Sequence, residues 1–188
     1  MDPIMSDAYM TLADAFCYPA PGRLDALKRG LAAMPKGAGK DAYAAFLNGI
    51  DRLPLGEWEE LHTRTLDLNP PAAPYVGYQI WGESYQRGTF LARLNRELLD
   101  AGVDAGGELP DHLAPVLRYL ARTQAPLPEL TELCGPALQR MHSALRKAEP
   151  DNPYVELLEA VSAVCRDLKS QTPESPRPMS GTTGKEDA

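Results

Sequence analysis

One histidine beside a carboxylate is the strongest candidate for acid–base chemistry in this chain. Asp111 and His112 are adjacent in the segment Glu108-Leu109-Pro110-Asp111-His112-Leu113, and a carboxylate that orients an imidazole is a common arrangement for a general base. Neighbours at i and i+1 point to different sides of a helix, which makes the pair a poor catalytic dyad. The structural alternative is that Asp111 and Glu108 cap a helix starting at Pro110, while His112 packs against it.

The other two histidines are weaker candidates for acid–base chemistry. His62 lies next to Glu59 and Glu60, which predicts an exposed, ion-paired side chain, and His142 is expected on a solvated helix face. None of the histidines has metal-ligand spacing with another histidine or with a cysteine. The chain also lacks the phosphate-binding loop, the dinucleotide fingerprint, the zinc-protease motif and the nucleophile elbow. We therefore expect no catalytic residue, no metal and no cofactor.

Aromatic residues are concentrated in one short stretch. Tyr75, Tyr78, Trp81 and Tyr85 follow a proline-rich loop and are accompanied by Glu83. Two interpretations stay open: core packing between helices, or a groove for an apolar peptide with an acidic rim. The carboxylates nearby are either a solvated face or a border that favours a basic ligand. Those on the preceding helix are Glu57, Glu59, Glu60 and Asp67.

Helices must position these side chains. The chain contains 26 Leu and 25 Ala but only 6 Val and 3 Ile, and helices favour the first two whereas strands favour the β-branched residues. Apolar residues recur at three- and four-residue steps, and no stretch alternates as a strand would. The sequence predicts an all-α fold: a single-domain bundle of about eight to nine helices over residues 1–169, followed by a disordered polar tail at 170–188.

Local signals predict several helix boundaries. Pro54 opens a helix whose apolar positions continue to Leu66. Ser84 is the expected N-cap of a helix that ends near Gly102. Asn152 followed by proline predicts the start of the last helix.

Charge and cysteine content exclude several classes of protein. The 188 residues carry 19 Lys+Arg against 26 Asp+Glu, a net charge of −7, which argues against nucleic acid as a partner. No apolar run approaches the ~20 residues of a membrane span, and the N-terminus lacks the pattern of a signal peptide. Cys17, Cys134 and Cys165 form no Cys-x-x-Cys pair and are expected as buried thiols. The sequence therefore predicts a cytoplasmic protein without stable membrane insertion.

Three segments, in order, carry a resemblance to a known family. They are Thr65-Leu66-Asp67-Leu68-Asn69-Pro70, then Tyr78-Gln79-Ile80-Trp81-Gly82-Glu83-Ser84 with Arg87-Gly88, and finally Glu108-Leu109-Pro110-Asp111-His112-Leu113 with Val116-Leu117. The third matches a Glu-x-Pro-Asp-His signature. Together they resemble the NarJ branch of the TorD/DmsD/NarJ family of redox-enzyme maturation chaperones, from about Met5 to Leu168.

The resemblance implies a non-catalytic helical chaperone with no cofactor of its own. Members bind the N-terminal segment of a molybdenum oxidoreductase catalytic subunit in the cytoplasm while the molybdenum cofactor and iron–sulfur clusters are inserted. For the NarJ branch the client is respiratory nitrate reductase. Related chaperones serve other molybdoenzymes, such as selenate, chlorate or dimethyl sulfoxide-type reductases or dehydrogenases. A helical adaptor and a small enzyme are the alternatives from other classes.

The resemblance also assigns site residues. Asp111 and His112 are the first candidates for the client-binding surface, and Glu108 helps to present them. Tyr75 belongs to the same aromatic stretch as three further candidates for the peptide groove: Tyr78, Trp81 and Glu83. Two positions depart from the family pattern. Leu66 stands where Phe is frequent, and Arg118 stands where an acidic residue is common, which would weaken attraction to a basic leader. Monomer and swapped dimer both stay open, with the Asp67–Pro74 loop as a candidate hinge.

Overall fold

Nine α-helices form the bundle in a computed structural model that describes residues 3–166. The all-α prediction is confirmed, and no β-strand occurs in that range. The tail expected at 170–188 lies outside the described residues. The helices are α1 (Pro3–Ala15), α2 (Arg23–Ala33), α3 (Ala38–Ile50), α4 (Leu55–His62), α5 (Val76–Trp81), α6 (Tyr85–Asp100), α7 (Leu113–Leu120), α8 (Pro128–Ala148) and α9 (Tyr154–Cys165).

The core lies between helices that are distant in sequence. α9 packs against α3 and α8, α1 packs against α7, and α5 packs against α8. Apolar side chains from each of these helices are buried in one cluster, and burial of that surface is the main stabilising contribution. No helix within residues 3–166 combines the length and the apolar character that crossing a bilayer requires.

Three of the predicted boundary signals act as expected. The Ser84 hydroxyl accepts a hydrogen bond from the Arg87 amide at 3.4 Å, so Ser84 is the N-cap of α6. The chain leaves α6 through Gly102, which has a φ of 65°, a left-handed conformation that glycine adopts without a steric penalty. At the start of α9, the Asn152 side-chain oxygen accepts a hydrogen bond from the Tyr154 amide.

The end of α4 differs from the prediction. The helix does not continue regularly to Leu66 but widens into a π-helical turn over Thr63–Asp67. Asn152 donates a hydrogen bond to the buried Thr65 hydroxyl at 2.9 Å, which fixes this turn against the start of α9.

The prediction that His62 is exposed and ion-paired is wrong. The side chain is buried, and its Nδ1 atom lies 3.0 Å from the Tyr154 hydroxyl, which also accepts a hydrogen bond from the Trp58 indole at 3.2 Å. The hydroxyl and His62 Nδ1 share a hydrogen bond whose donor is set by the histidine tautomer. Burial lowers the pKa of His62 to about 4, although the charge of Glu108 acts in the opposite direction. His62 is a neutral core residue.

The remaining corrections concern α7, His142 and Cys17. α7 begins at Leu113 rather than Pro110. His142 is half-buried rather than solvated, with its Nε2 atom 4.0 Å from a Glu159 carboxylate oxygen. Cys17 is half-buried, whereas Cys134 and Cys165 are buried as predicted.

Candidate functional site

Arg87 and Asp111 form a buried ion pair at the centre of the candidate site. The guanidinium Nε lies 3.1 Å from Oδ2 of Asp111, and Nη2 lies 3.3 Å from Oδ1. Asp111 is 0% exposed. Because Ser84 caps α6, Arg87 stands in the first turn of that helix and faces the segment before α7. Burial alone lowers the pKa of Arg87, but hydrogen bonds and charge from Asp111, with Glu83, raise it above its usual value.

Gly77 brings the backbone of α5 directly onto the same carboxylate. Its amide donates a hydrogen bond to Asp111 Oδ2 at 3.1 Å. A Cβ atom at this position would lie 2.9 Å from that oxygen and 3.1 Å from the Phe90 ring. The close approach therefore requires a residue without a side chain. Asp111 thus joins α5 and α6 to the segment before α7.

A short antiparallel bridge between Tyr75 and His112 holds the same segment. The Val76 amide donates to the Asp111 carbonyl, and the Leu113 amide donates to the Pro74 carbonyl, both at 2.8 Å. His112 is extended, with ψ at 142°, and the Leu113 amide donates to Pro74 instead of to the Leu109 carbonyl, its partner in a helix that begins at Pro110. This explains why α7 starts three residues later than its proline suggests.

His112 is the N-cap of α7. Its Nδ1 atom accepts a hydrogen bond from the Ala114 amide at 3.1 Å, which places the proton of the neutral ring on Nε2. The ring packs edge-on against Tyr75 and Phe16, with centroid distances of 5.1 and 6.4 Å. Burial lowers the pKa of His112, opposed by the charges of Glu108 and Asp111.

Two tyrosines and a glutamate complete the contacts of Arg87. Its guanidinium carbon lies 5.7 Å from the ring centre of Tyr75 and 5.3 Å from that of Tyr78, within the range of cation–π attraction. Glu83 accepts a hydrogen bond from Nη1 at 2.9 Å. Trp81 lies apart from this group, with its ring edge-on to Phe90 at 5.5 Å.

An acidic pair, Asp67 and Glu108, stands on the outer side of this cluster. The Tyr75 hydroxyl donates to a Glu108 oxygen at 2.9 Å, and burial followed by this hydrogen bond raises the pKa of Tyr75 to about 12. Partial burial and the charge of Glu108 raise the pKa of Asp67, while His112 lowers it. Within residues 3–166 neither carboxylate forms an ion pair with Lys or Arg. The two negative charges are therefore not neutralised by the fold.

Exposed apolar side chains accompany the acidic pair. Leu68 is 73% exposed and Leu109 is 46% exposed, each next in sequence to one of the two carboxylates. Tyr18 is 53% exposed and packs its ring edge-on against His62 at 5.3 Å. We call these three side chains together with Asp67 and Glu108 the acidic–apolar surface. It combines uncompensated negative charge with apolar groups that remain in contact with water.

The structure brings together six of the seven residues that the sequence proposed. Arg87 directly contacts Tyr78, Glu83 and Asp111. The Tyr75 ring lies against both Arg87 and His112, and the Tyr75 hydroxyl donates a hydrogen bond to Glu108. Trp81 is the exception. Arg87 belongs to the second of the three segments but is not among the seven proposed site residues. A buried arginine needs a carboxylate partner, and the partner here is 24 residues away in sequence.

The acidic border proposed along α4 is not continuous. Glu57 and Glu60 line a different cavity, which they share with Arg52 and Arg64. Asp67, the last residue of the π-helical turn, approaches the site closely enough for the charge of Glu108 to raise its pKa. Arg118, one of the two positions that depart from the pattern of the resembled family, lies 3.4 Å from an Asp14 carboxylate oxygen.

Among residues 3–166, no group of three or more His, Cys, Asp or Glu side chains is arranged to hold a metal ion. Comparison of the chain with known protein families and with curated proteins finds no match to either.

Proposed function

We propose that this protein is a cytoplasmic chaperone of the NarJ type. It binds the N-terminal segment of a molybdenum oxidoreductase catalytic subunit, respiratory nitrate reductase in the first instance. It assists insertion of the molybdenum cofactor before the subunit joins its membrane partner. The proposal rests on the three-segment resemblance and on one structural observation, the acidic–apolar surface.

The acidic pair supports the choice of a basic partner. Burial and the charge of Glu108 raise the pKa of Asp67, and neither carboxylate has a Lys or Arg partner within residues 3–166, so an approaching Lys or Arg side chain stabilises the pair. Leu68, Leu109 and Tyr18 offer the apolar contacts that an amphipathic segment needs beside its basic residues. A leader peptide with basic and apolar positions matches both features.

The buried residues have a positioning role in this proposal. Asp111 is inaccessible and neutralised by Arg87, so it does not contact a client. It holds Gly77 and the segment before α7, and thereby Tyr75 and Glu108, in place. Because the Nδ1 atom of His112 is occupied by the helix cap, this histidine is not oriented by Asp111 as a general base. We therefore propose a binding protein rather than an enzyme.

A calorimetric titration tests the proposal. The titrant is a synthetic peptide copying the first ~15–20 residues of the nitrate reductase catalytic subunit, long enough for one amphipathic helix. We expect micromolar or tighter binding that weakens with salt, because exposed charges are screened. The double variant Asp67→Asn/Glu108→Gln should weaken binding by about tenfold.

The matched control is Glu57→Gln/Glu60→Gln, which removes the same net charge from two residues that line a different cavity. It should change the affinity by less than about twofold, since long-range charge effects are small in physiological salt. Absence of binding by both the peptide and the intact catalytic subunit would refute the proposal. Equal weakening by the two double variants would refute the assigned surface. Peptides from other molybdoenzymes, measured in parallel, identify the client.

A further inference from the structure

One buried side chain in the connection between α8 and α9, Asn152, holds the π-helical turn. Its Nδ2 atom donates a hydrogen bond to the Thr65 hydroxyl at 2.9 Å and another to a Glu149 carboxylate oxygen at 3.2 Å. Its Oδ1 atom accepts a hydrogen bond from the Tyr154 amide at 3.0 Å. Asn152 is 5% exposed and Thr65 is 0% exposed, so the contact between them is shielded from water.

A second contact joins the same two segments at the surface of the protein. Glu149 accepts a hydrogen bond from the Arg64 guanidinium at 3.1 Å, and Arg64 precedes Thr65 in the π-helical turn. The side chains of this ion pair are 52% and 37% exposed, so the pair contributes little stability by itself. The buried hydrogen bond between Asn152 and Thr65 is therefore the main polar link to the turn.

The π-helical turn sets the direction of the residues at its end. The Leu68 amide donates to the Thr63 carbonyl at 3.0 Å, whereas a regular α-helix would pair it with Arg64. One extra residue in a turn rotates the residue that follows by about 100° around the helix axis. Such wide turns are rare and are frequent at functional sites. Asp67 ends this turn and Leu68 follows it, and both belong to the acidic–apolar surface.

We infer that Asn152 is a positioning residue for the acidic–apolar surface, acting through Thr65 and the π-helical turn. Without this hydrogen bond the turn is free to adopt α-helical geometry, which would change the direction of Leu68 and the distance between Asp67 and Glu108. The effect on a client peptide rests on the proposed function, whereas the effect on the position of Asp67 does not.

Asn152 also caps the start of α9, and three variants separate this role from positioning. Asn152→Ser keeps an oxygen that can accept from the Tyr154 amide but loses the Nδ2 donor. Thr65→Val removes the acceptor on the opposite side and leaves the Asn152 cap in place. Thr65→Ser is the matched control, because it keeps the hydroxyl.

The first measurement is an NMR pH titration of the Asp67 carboxyl carbon in each full-length variant, over the pH range in which circular dichroism shows the protein to be folded. Partial burial and the charge of Glu108 raise the pKa of Asp67. This pKa should fall towards its usual value in Thr65→Val and Asn152→Ser and remain raised in Thr65→Ser. A loss of stability alone would not move it. The inference is overturned if both folded variants keep the parental pKa.

The second measurement is calorimetric titration with the leader peptide. Thr65→Val should bind the peptide about threefold or more weakly than Thr65→Ser. The same substitution should have a smaller effect in a protein that already carries Asp67→Asn, because the two changes act on one contact. Equal binding by Thr65→Val and Thr65→Ser overturns the inference. A parent protein that binds no peptide contradicts the proposed function instead, and the Asp67 titration then decides the positioning role.

Discussion

The Arg87 guanidinium meets the Asp111 carboxylate through two contacts of 3.1 and 3.3 Å in the protein interior. The pair joins α6 to the segment before α7 across 24 residues of sequence. A buried pair with good geometry roughly balances its own desolvation cost, whereas the loss of one partner leaves an uncompensated charge. Its role is therefore to fix the position of the site.

Replacing Arg87 by Met should destabilise the fold by about 3–5 kcal/mol, because Asp111 is then buried without its cation. Urea unfolding, monitored by circular dichroism, measures the change in the free energy of unfolding. Arg93→Met is the matched control on the same helix, since its ion pair with Glu129 is largely exposed and should contribute less than about 1 kcal/mol. A loss below about 1 kcal/mol for Arg87→Met would contradict the assigned role.

Replacing Gly77 by Ala should destabilise the protein by about 1–3 kcal/mol. The added Cβ would lie 2.9 Å from Asp111 Oδ2, so the carboxylate must shift away from Arg87. Gly88→Ala offers the comparison, because a Cβ there meets nothing within 4 Å and alanine favours the helix by about 0.5–1 kcal/mol. The two substitutions should therefore change the urea midpoint in opposite directions, and a stabilising Gly77→Ala would be inconsistent with the geometry.

Replacing Tyr154 by Phe should cost about 2 kcal/mol, because the Trp58 indole and His62 Nδ1 lose their buried hydrogen-bond partner. The change in tryptophan fluorescence on unfolding reports the midpoint. Tyr85→Phe removes a hydroxyl from a side chain that is 89% exposed and should stay within about 0.5 kcal/mol of the parent. Equal effects of the two variants would show that the buried hydroxyl contributes no special stability.

Acidification should destabilise the protein through His62. Its pKa falls from 6.5 in the unfolded chain to about 4 in the folded protein. Above pH 6.5 both states are neutral; as the pH falls from 6.5 towards 4, only the unfolded state binds the proton, and stability is lost. Between pH 7 and pH 5 we expect the His62 contribution to lower the free energy of unfolding by roughly 1–2 kcal/mol.

Urea unfolding at the two pH values checks this expectation. The variant His62→Gln should show a smaller decrease than the parent, with a remainder from His112, whose pKa is also lowered by burial. An unchanged decrease in His62→Gln would exclude His62 as its source.

Local sequence signals predicted most of the helices and one cap, since Ser84 and Gly102 act within a few residues of the boundaries they set. The start of α7 was mispredicted because the hydrogen bonds with Pro74 and Val76, which hold the segment before α7, come from another part of the chain. His62 was mispredicted for the same reason: its partner, Tyr154, is 92 residues away. Neither contact can be predicted from the residues next to it in sequence.

The arrangement of the candidate site likewise depends on contacts between distant parts of the sequence. The sequence identified the residues around Asp111, but Asp67 and Glu108 become a like-charge pair only when the π-helical turn ends beside the segment before α7. The role of Arg87 likewise depends on a carboxylate contributed by a different segment. Contacts across helices, rather than local propensity, decide which of the proposed residues are buried and which are exposed.

The hydrogen bond between Tyr75 and Glu108 spans 33 residues, and all of α6 lies in the loop that it closes. Closure of such a loop costs chain entropy before the contact can form, so contacts of this kind arise late when a chain refolds. The acidic–apolar surface is therefore complete only when α6 has docked and the segments on either side of it have met.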